Sequence, residues 1–98
     1  MSSTTDDGFN PTIHAPQRLR ICAVLDAADR VEFATVQEQL KVSASVLSKH
    51  VSVLMDKGYL GQSRATRDRR QRVWLSLTQE GKAAYRAHVT ALKEITGA

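Results

Sequence analysis

No stretch of the sequence approaches the roughly 20 consecutive apolar residues that a membrane-spanning helix requires, so no such helix is expected. The polar, acidic start, Met1 to Asn10, lacks the basic-then-apolar order of a secretory signal. Cysteine is nearly missing. Cys22 stands alone, which excludes an internal disulfide and any zinc site built on Cys-x-x-Cys pairs. The three histidines, His14, His50 and His88, are scattered, and none lies near a serine, cysteine or carboxylate in a recognisable catalytic pattern. Ser48-Lys49, taken as a nucleophile and base, has no supporting motif. Internal repeats are absent as well. These absences lead to the expectation of a cytoplasmic protein that is not an enzyme and carries no metal or cofactor. The 98 residues suit one compact domain.

What the chain does have is positive charge in one place. Arg64, Arg67, Arg69, Arg70 and Arg72 fall within nine residues and are opposed only by Asp68. That segment alone equals the net charge of +4, so the rest of the chain is close to neutral. A solvated loop is the plain explanation of such a run. A localised arginine cluster on a neutral body also suits a polyanion, nucleic acid before membrane.

Residues 1–15 hold Ser, Thr, Asp, Gly, Asn and Pro without apolar period, and read as a loose arm with Phe9 and Ile13 available to order against a partner. Pro16 suits the first turn of a helix. Behind it Leu19, Cys22, Val24 and Leu25 recur at three- and four-residue spacing, predicting a helix to about Ala28. The sulfur of Cys22 is then a small inert hydrophobe on the buried side. Val31-Glu32-Phe33 is a short extended piece, and Thr35 to Leu40 a short helix. After the turn Lys41-Val42, Ser43 is placed to cap a helix over Ala44 to Lys57, which Gly58 ends. Tyr59 to Arg64 and Arg72 to Leu77 read as two strands, the second alternating Val73, Leu75 and Leu77 with more exposed residues. Ala65 to Gln71 is the charged tip between them. Thr78 caps a last helix, Gln79 to about Ile95.

In the helix 44–57, Leu47, Val51 and Leu54 share one face, while Ser45, Ser48, Lys49 and Ser52 lie opposite. Small hydroxyls and one lysine permit close approach to a groove and can contact phosphates and base edges. His50 borders the apolar stripe and is assigned to packing. Beside this helix, a hairpin carrying arginines can reach flanking phosphates or the minor groove. Asp68 is placed to hold one of those arginines by a local hydrogen bond.

The predicted order, α-β-α-α-β-β-α, is that of a winged helix-turn-helix, a mostly α fold with a β-hairpin. Specific pieces agree: Arg18-Leu19-Arg20-Ile21, Phe33, Ser48-Lys49-His50-Val51 with Leu54, Lys57-Gly58-Tyr59-Leu60, and Leu77-Thr78-Gln79-Glu80-Gly81. Over Pro16 to about Val89 the chain resembles short, single-domain relatives of the MarR-type bacterial and archaeal regulators. The resemblance implies a dimeric, sequence-specific regulator of transcription bound to double-stranded DNA, with repression the expected sense of control and nucleoid association when bound. The domain would span residues 16–96, and terminal helices would pair two subunits.

Tyr85, Val89, Leu92 and Ile95 form an apolar stripe along the last helix that a domain this small covers only in part, which agrees with pairing. Trp74 is either a cover over that helix or part of the subunit contact. The rival reading is a winged helix used as a protein-interaction module without specific DNA binding. The sequence names no small-molecule effector.

Overall fold

The computed structural model describes residues 8–97. A one-turn helix α1 (Pro11–His14) leads into α2 (Pro16–Asp26), a short strand β1 (Val31–Glu32), then α3 (Phe33–Leu40) and α4 (Ala44–Asp56). The hairpin β2 (Leu60–Arg67) and β3 (Arg70–Leu77) follows, and α5 (Gln79–Thr96) closes the chain. The three strands form one antiparallel sheet in the order β1-β3-β2.

Local chemistry sets the boundaries. Ser43 Oγ accepts from the N–H of Val46 at 3.2 Å and starts α4, while Thr78 Oγ1 accepts from the N–H of Gly81 at 2.9 Å and starts α5. Lys41 sits in the left-handed region at φ 57° and stops α3, so the chain turns within three residues onto α4. Gly58, at φ 78°, lets the chain leave α4 in a conformation that side chains resist. Phe33 begins α3 rather than extending β1, because Glu32 is the last residue paired with β3.

The core lies between the helices and the inner face of the sheet. Ile21, Cys22 and Leu25 of α2, Val36 and Leu40 of α3, and Leu47, Val51 and Leu54 of α4 close over Leu60, Leu75 and Leu77. Burying one such aliphatic side chain stabilises the domain by about 1.5–3 kcal/mol. Cys22 is fully buried, and burial, then the nearby Asp26, pushes its thiol up to about 11. It is the buried core residue its spacing predicts.

The arm needs correction. Residues 1–7 of the expected loose segment lie outside the described residues, but the remainder is built into the domain. Asn10 caps α1 by accepting from Ile13 N–H at 3.0 Å, and Ile13 is fully buried in this chain's own core rather than against a partner. At Gly8, φ 85°, a Cβ would crowd the carbonyl of Ala87 on α5. The helix α5 turns Gly81, His88 and Ala91 inward. Tyr85, Val89 and Leu92 are therefore half-buried flank residues, and Ile95 remains 58% exposed.

Candidate nucleic-acid interface

The helix α4 is held by the three core residues Leu47, Val51 and Leu54, and the geometry of a 3.6-residue repeat then decides what faces outward. Ser45, Ser48, Lys49 and Ser52 are all exposed, as the spacing predicts. Val46 and Met55, each 40% exposed, stand nine residues apart on opposite flanks of the helix and were not singled out by the pattern. His50 stands at the edge of the buried face. Its Nδ1 lies 3.2 Å from an Arg18 guanidinium nitrogen, and Arg18 Nε donates to the carbonyl of Thr12 at 2.7 Å. Because arginine can only donate, Nδ1 accepts and the ring is neutral. Burial, then Arg18 and Lys49, lowers the His50 pKa. The histidine thus ties α4 to α2 and α1, the packing role expected of it.

The hairpin is longer than its sequence suggests. Pairing runs without interruption from Leu60 opposite Leu77 to Arg67 opposite Arg70, so the expected loop 65–71 is strand except for the turn Asp68-Arg69. Both turn residues have positive φ, 53° and 64°, the mirror-image geometry that a two-residue hairpin needs to match strand twist. Asp tolerates that conformation; Arg69 adopts it at a cost of about 1–2 kcal/mol.

Opposite residues share a face of the sheet. Arg64, opposite Val73, lies on the face that farther down carries Leu60, Leu75 and Leu77. Arg67, Arg70 and Arg72 lie on the other, in line with Trp74. The five arginines are therefore divided between two faces and a turn.

The anchoring carboxylate is not Asp68. Glu32, only 7% exposed and paired with Trp74 across the β1–β3 ladder, accepts from Arg67 at 2.9 Å and from Arg72 at 3.3 Å, one arginine on each oxygen. Asp68 sits in the turn at φ 53° and forms no ion pair with another described residue. The partner seen over Trp74 is Arg30, whose guanidinium carbon lies 4.4 Å from the ring centroid. Sequence reasoning missed Glu32; the signal available was a lone acid inside an otherwise apolar extended piece. Arg64, Arg69 and Arg70 are exposed and carry no ion pair to another described residue.

Two hydrogen bonds join the interface to the last helix. Thr78 Oγ1 donates to the carbonyl of Gly58 at 2.6 Å, and Thr78 N–H donates to the carbonyl of Tyr59 at 3.0 Å. Gly81 is packed so closely there that a Cβ would overlap the Tyr59 carbonyl oxygen. The end of α4 and the start of α5 are fastened together.

Among the described residues, no group of three or more His, Cys, Asp or Glu side chains is gathered to hold a metal, and no helix is long and apolar enough to cross a membrane. No curated protein matches the sequence. Among solved structures, the fold matches the transcriptional regulator homologue protein from Pyrococcus horikoshii OT3, with a TM-score of 0.83 and 23% identity over 88% of this chain and 85% of that one. A transcriptional regulator of the MarR family from Enterococcus faecalis V583 matches with a TM-score of 0.74 and 21% identity, over 88% and 76%. The PcaV transcriptional regulator from Streptomyces coelicolor, solved with its natural ligand, matches with a TM-score of 0.75 and 25% identity. The match covers 90% of this chain and 61% of PcaV, so the chain spans less than two thirds of that protein. Lastly, a family model described as a winged helix DNA-binding domain matches residues 17–96, and with most of its length so matched the chain belongs to that family, which is not enzymatic.

Proposed function

We propose that the protein is a homodimeric transcriptional regulator, acting as a repressor, that binds double-stranded DNA sequence-specifically in the cytoplasm and is nucleoid-associated when bound. The observation that carries this reading is the exposed face of α4, where Ser45, Ser48, Lys49 and Ser52 stand clear of the core in the same domain as an arginine hairpin. In this reading α4 enters the major groove, where small hydroxyls allow close approach and Lys49 reads or steadies a base edge. Arg64, Arg69 and Arg70 meet flanking phosphates or the minor groove. Arg67 and Arg72 join them while also bracing the hairpin against Glu32.

Two-fold pairing through Tyr85, Val89, Leu92 and Ile95 is supported by their partial exposure, Ile95 above all. A single helix reads too few base pairs to find one genomic site, and a two-fold dimer doubles the reading. The dimer then prefers a pseudo-palindrome with half-site centres about 10 base pairs apart, or a multiple of that.

The deciding experiment is selection of bound sequences from random duplex DNA, followed by a salt titration of the winner. Enrichment of a pseudo-palindrome, with binding that falls steeply as salt rises, is expected. Failure to bind any duplex at low salt rejects this reading in favour of a protein-interaction module.

A further inference from the structure

The exposed surface of α4 is mostly hydroxyl and lysine, but two large apolar residues, Val46 and Met55, break the pattern on opposite flanks. Val46 leaves 40% of its surface exposed, and one turn on along its flank stand Lys49, exposed, and His50, at the edge of the buried face. Its N–H is donated to Ser43 Oγ, which fixes it in the opening turn of the helix. It belongs to none of the apolar residues packed into or against the core. Met55 is exposed to the same extent, but it lies in the closing turn beside Asp56, whose charge opposes an approaching phosphate backbone.

Valine can neither donate nor accept a hydrogen bond from its side chain. Pressed on the major-groove edge of guanine, cytosine or adenine, it would strip polar atoms of water and return nothing. The one apolar group on a base edge in that groove is the C5-methyl of thymine. We propose that Val46 is a specificity-determining residue that packs its methyl groups against a thymine C5-methyl, so that each half-site carries a thymine next to the position met by Lys49. This rests on the reading of α4 as the helix that enters the major groove.

Deoxyuridine tests the contact directly, since it lacks only that methyl group and keeps base pairing intact. Each thymine of the selected sequence is replaced in turn by deoxyuridine, and affinity is measured for the wild type and for Val46→Ala. One thymine per half-site should weaken wild-type binding roughly fourfold when replaced, the value of one buried methyl. Val46→Ala should bind the intact site about as weakly as the wild type binds the substituted one, and should show no further loss at that position. Since Val46 is not a core residue, the thermal midpoint of the variant should match the wild type, which separates a weakened interface from a disrupted fold. Sequence-selective binding with no thymine whose replacement distinguishes the two proteins overturns the proposal while leaving the reading of α4 intact. Absence of any sequence preference in the wild type overturns both.

Discussion

Nδ1 of His14 lies 3.2 Å from Nε2 of His88, and the other nitrogen of His88 accepts the backbone N–H of Asn10 at 2.9 Å. The amide can only donate, so His88 Nδ1 is bare, Nε2 carries the proton, and that proton is given to His14. The His88 ring is neutral in this arrangement. Phe9 packs against both, with ring centroids 4.9 Å from each, and Asn10 Nδ2 donates to the Tyr59 hydroxyl at 2.9 Å. The segment before α2 is thereby latched to α5 and to the exit of α4. Protonating His88 would set an N–H against the Asn10 N–H.

The latch makes stability depend on pH. Burial, and then His14, lowers the His88 pKa in the folded protein. The unfolded chain takes up its proton from about pH 6.5 downward, before the folded chain does. Stability contributed by the neutral ring is thus complete above pH 6.5 and is lost as pH falls toward the folded value. Urea midpoints should be lower at pH 5.5 than at pH 7.5. In His88→Gln the difference should shrink, with His50, also lowered, supplying part of the remainder. An identical pH difference in the variant would show that the latch does not titrate.

The wing arginines should separate into two classes in salt titrations. Replacing Arg69 and Arg70 by alanine should reduce the log–log salt slope by about one unit for each phosphate no longer neutralised, on every duplex alike. Glu32→Gln should do the opposite, because it frees Arg67 and Arg72 from their carboxylate: non-specific binding should strengthen and the slope steepen by about one. The same change should lower folding stability by about 1 kcal/mol, a small figure because Arg67 is largely exposed. A slope unmoved by both changes would mean that the hairpin stays off the DNA.

Gly81→Ala should be among the most damaging single-methyl changes in the chain. The added Cβ has nowhere to go, because the Tyr59 backbone occupies its place. A loss of about 2–3 kcal/mol is expected from thermal or urea unfolding. Gly61→Ala is the control, since a Cβ there meets only Ser76 Oγ at an ordinary 3.8 Å. Equal midpoints for the two variants would contradict the close packing of the Tyr59 backbone against the start of α5.

Leu92→Glu should divide the proposed dimer, because a charge would be desolvated against its own copy. Light scattering should give the monomer mass for the variant, and specific binding should fall far more than non-specific binding per subunit. Wild type that scatters as a monomer, or that tolerates five base pairs inserted between half-sites, would refute the pairing.

The helices of the interface were readable because their apolar residues recur against a polar background. Leu47, Val51 and Leu54, with Ser43 ahead and Gly58 behind, fix α4 to within one residue of its observed end. The outer hairpin was not readable for the converse reason. Between Ser63 and Gln71 most residues are exposed on both faces, so strand alternation has no buried side to mark it. Only backbone pairing extends β2 and β3 to the turn. In the arm, Ile13 is the one apolar residue of its helix, and a single residue has no period; Asn10 before Pro11 was the capping signal that remained. Glu32 and His88 act through partners dozens of residues away, which spacing along the chain does not reveal.

The fastening at Gly58, Tyr59, Thr78 and Gly81 has a mechanical meaning. The 18 residues of α5 form a rod about 27 Å long. Its near end is bonded to the exit of α4 through the Thr78 side chain and backbone, and no slack is left at Gly81. The exit of α4 and the near end of α5 therefore form one closely packed joint. A tilt of about 5° applied to the rod displaces its far end by about 2 Å, a movement comparable to the helix shifts that switch regulatory interfaces. A partner on the distal half of α5 would thus stand one helix length from a joint bonded directly to the exit of α4.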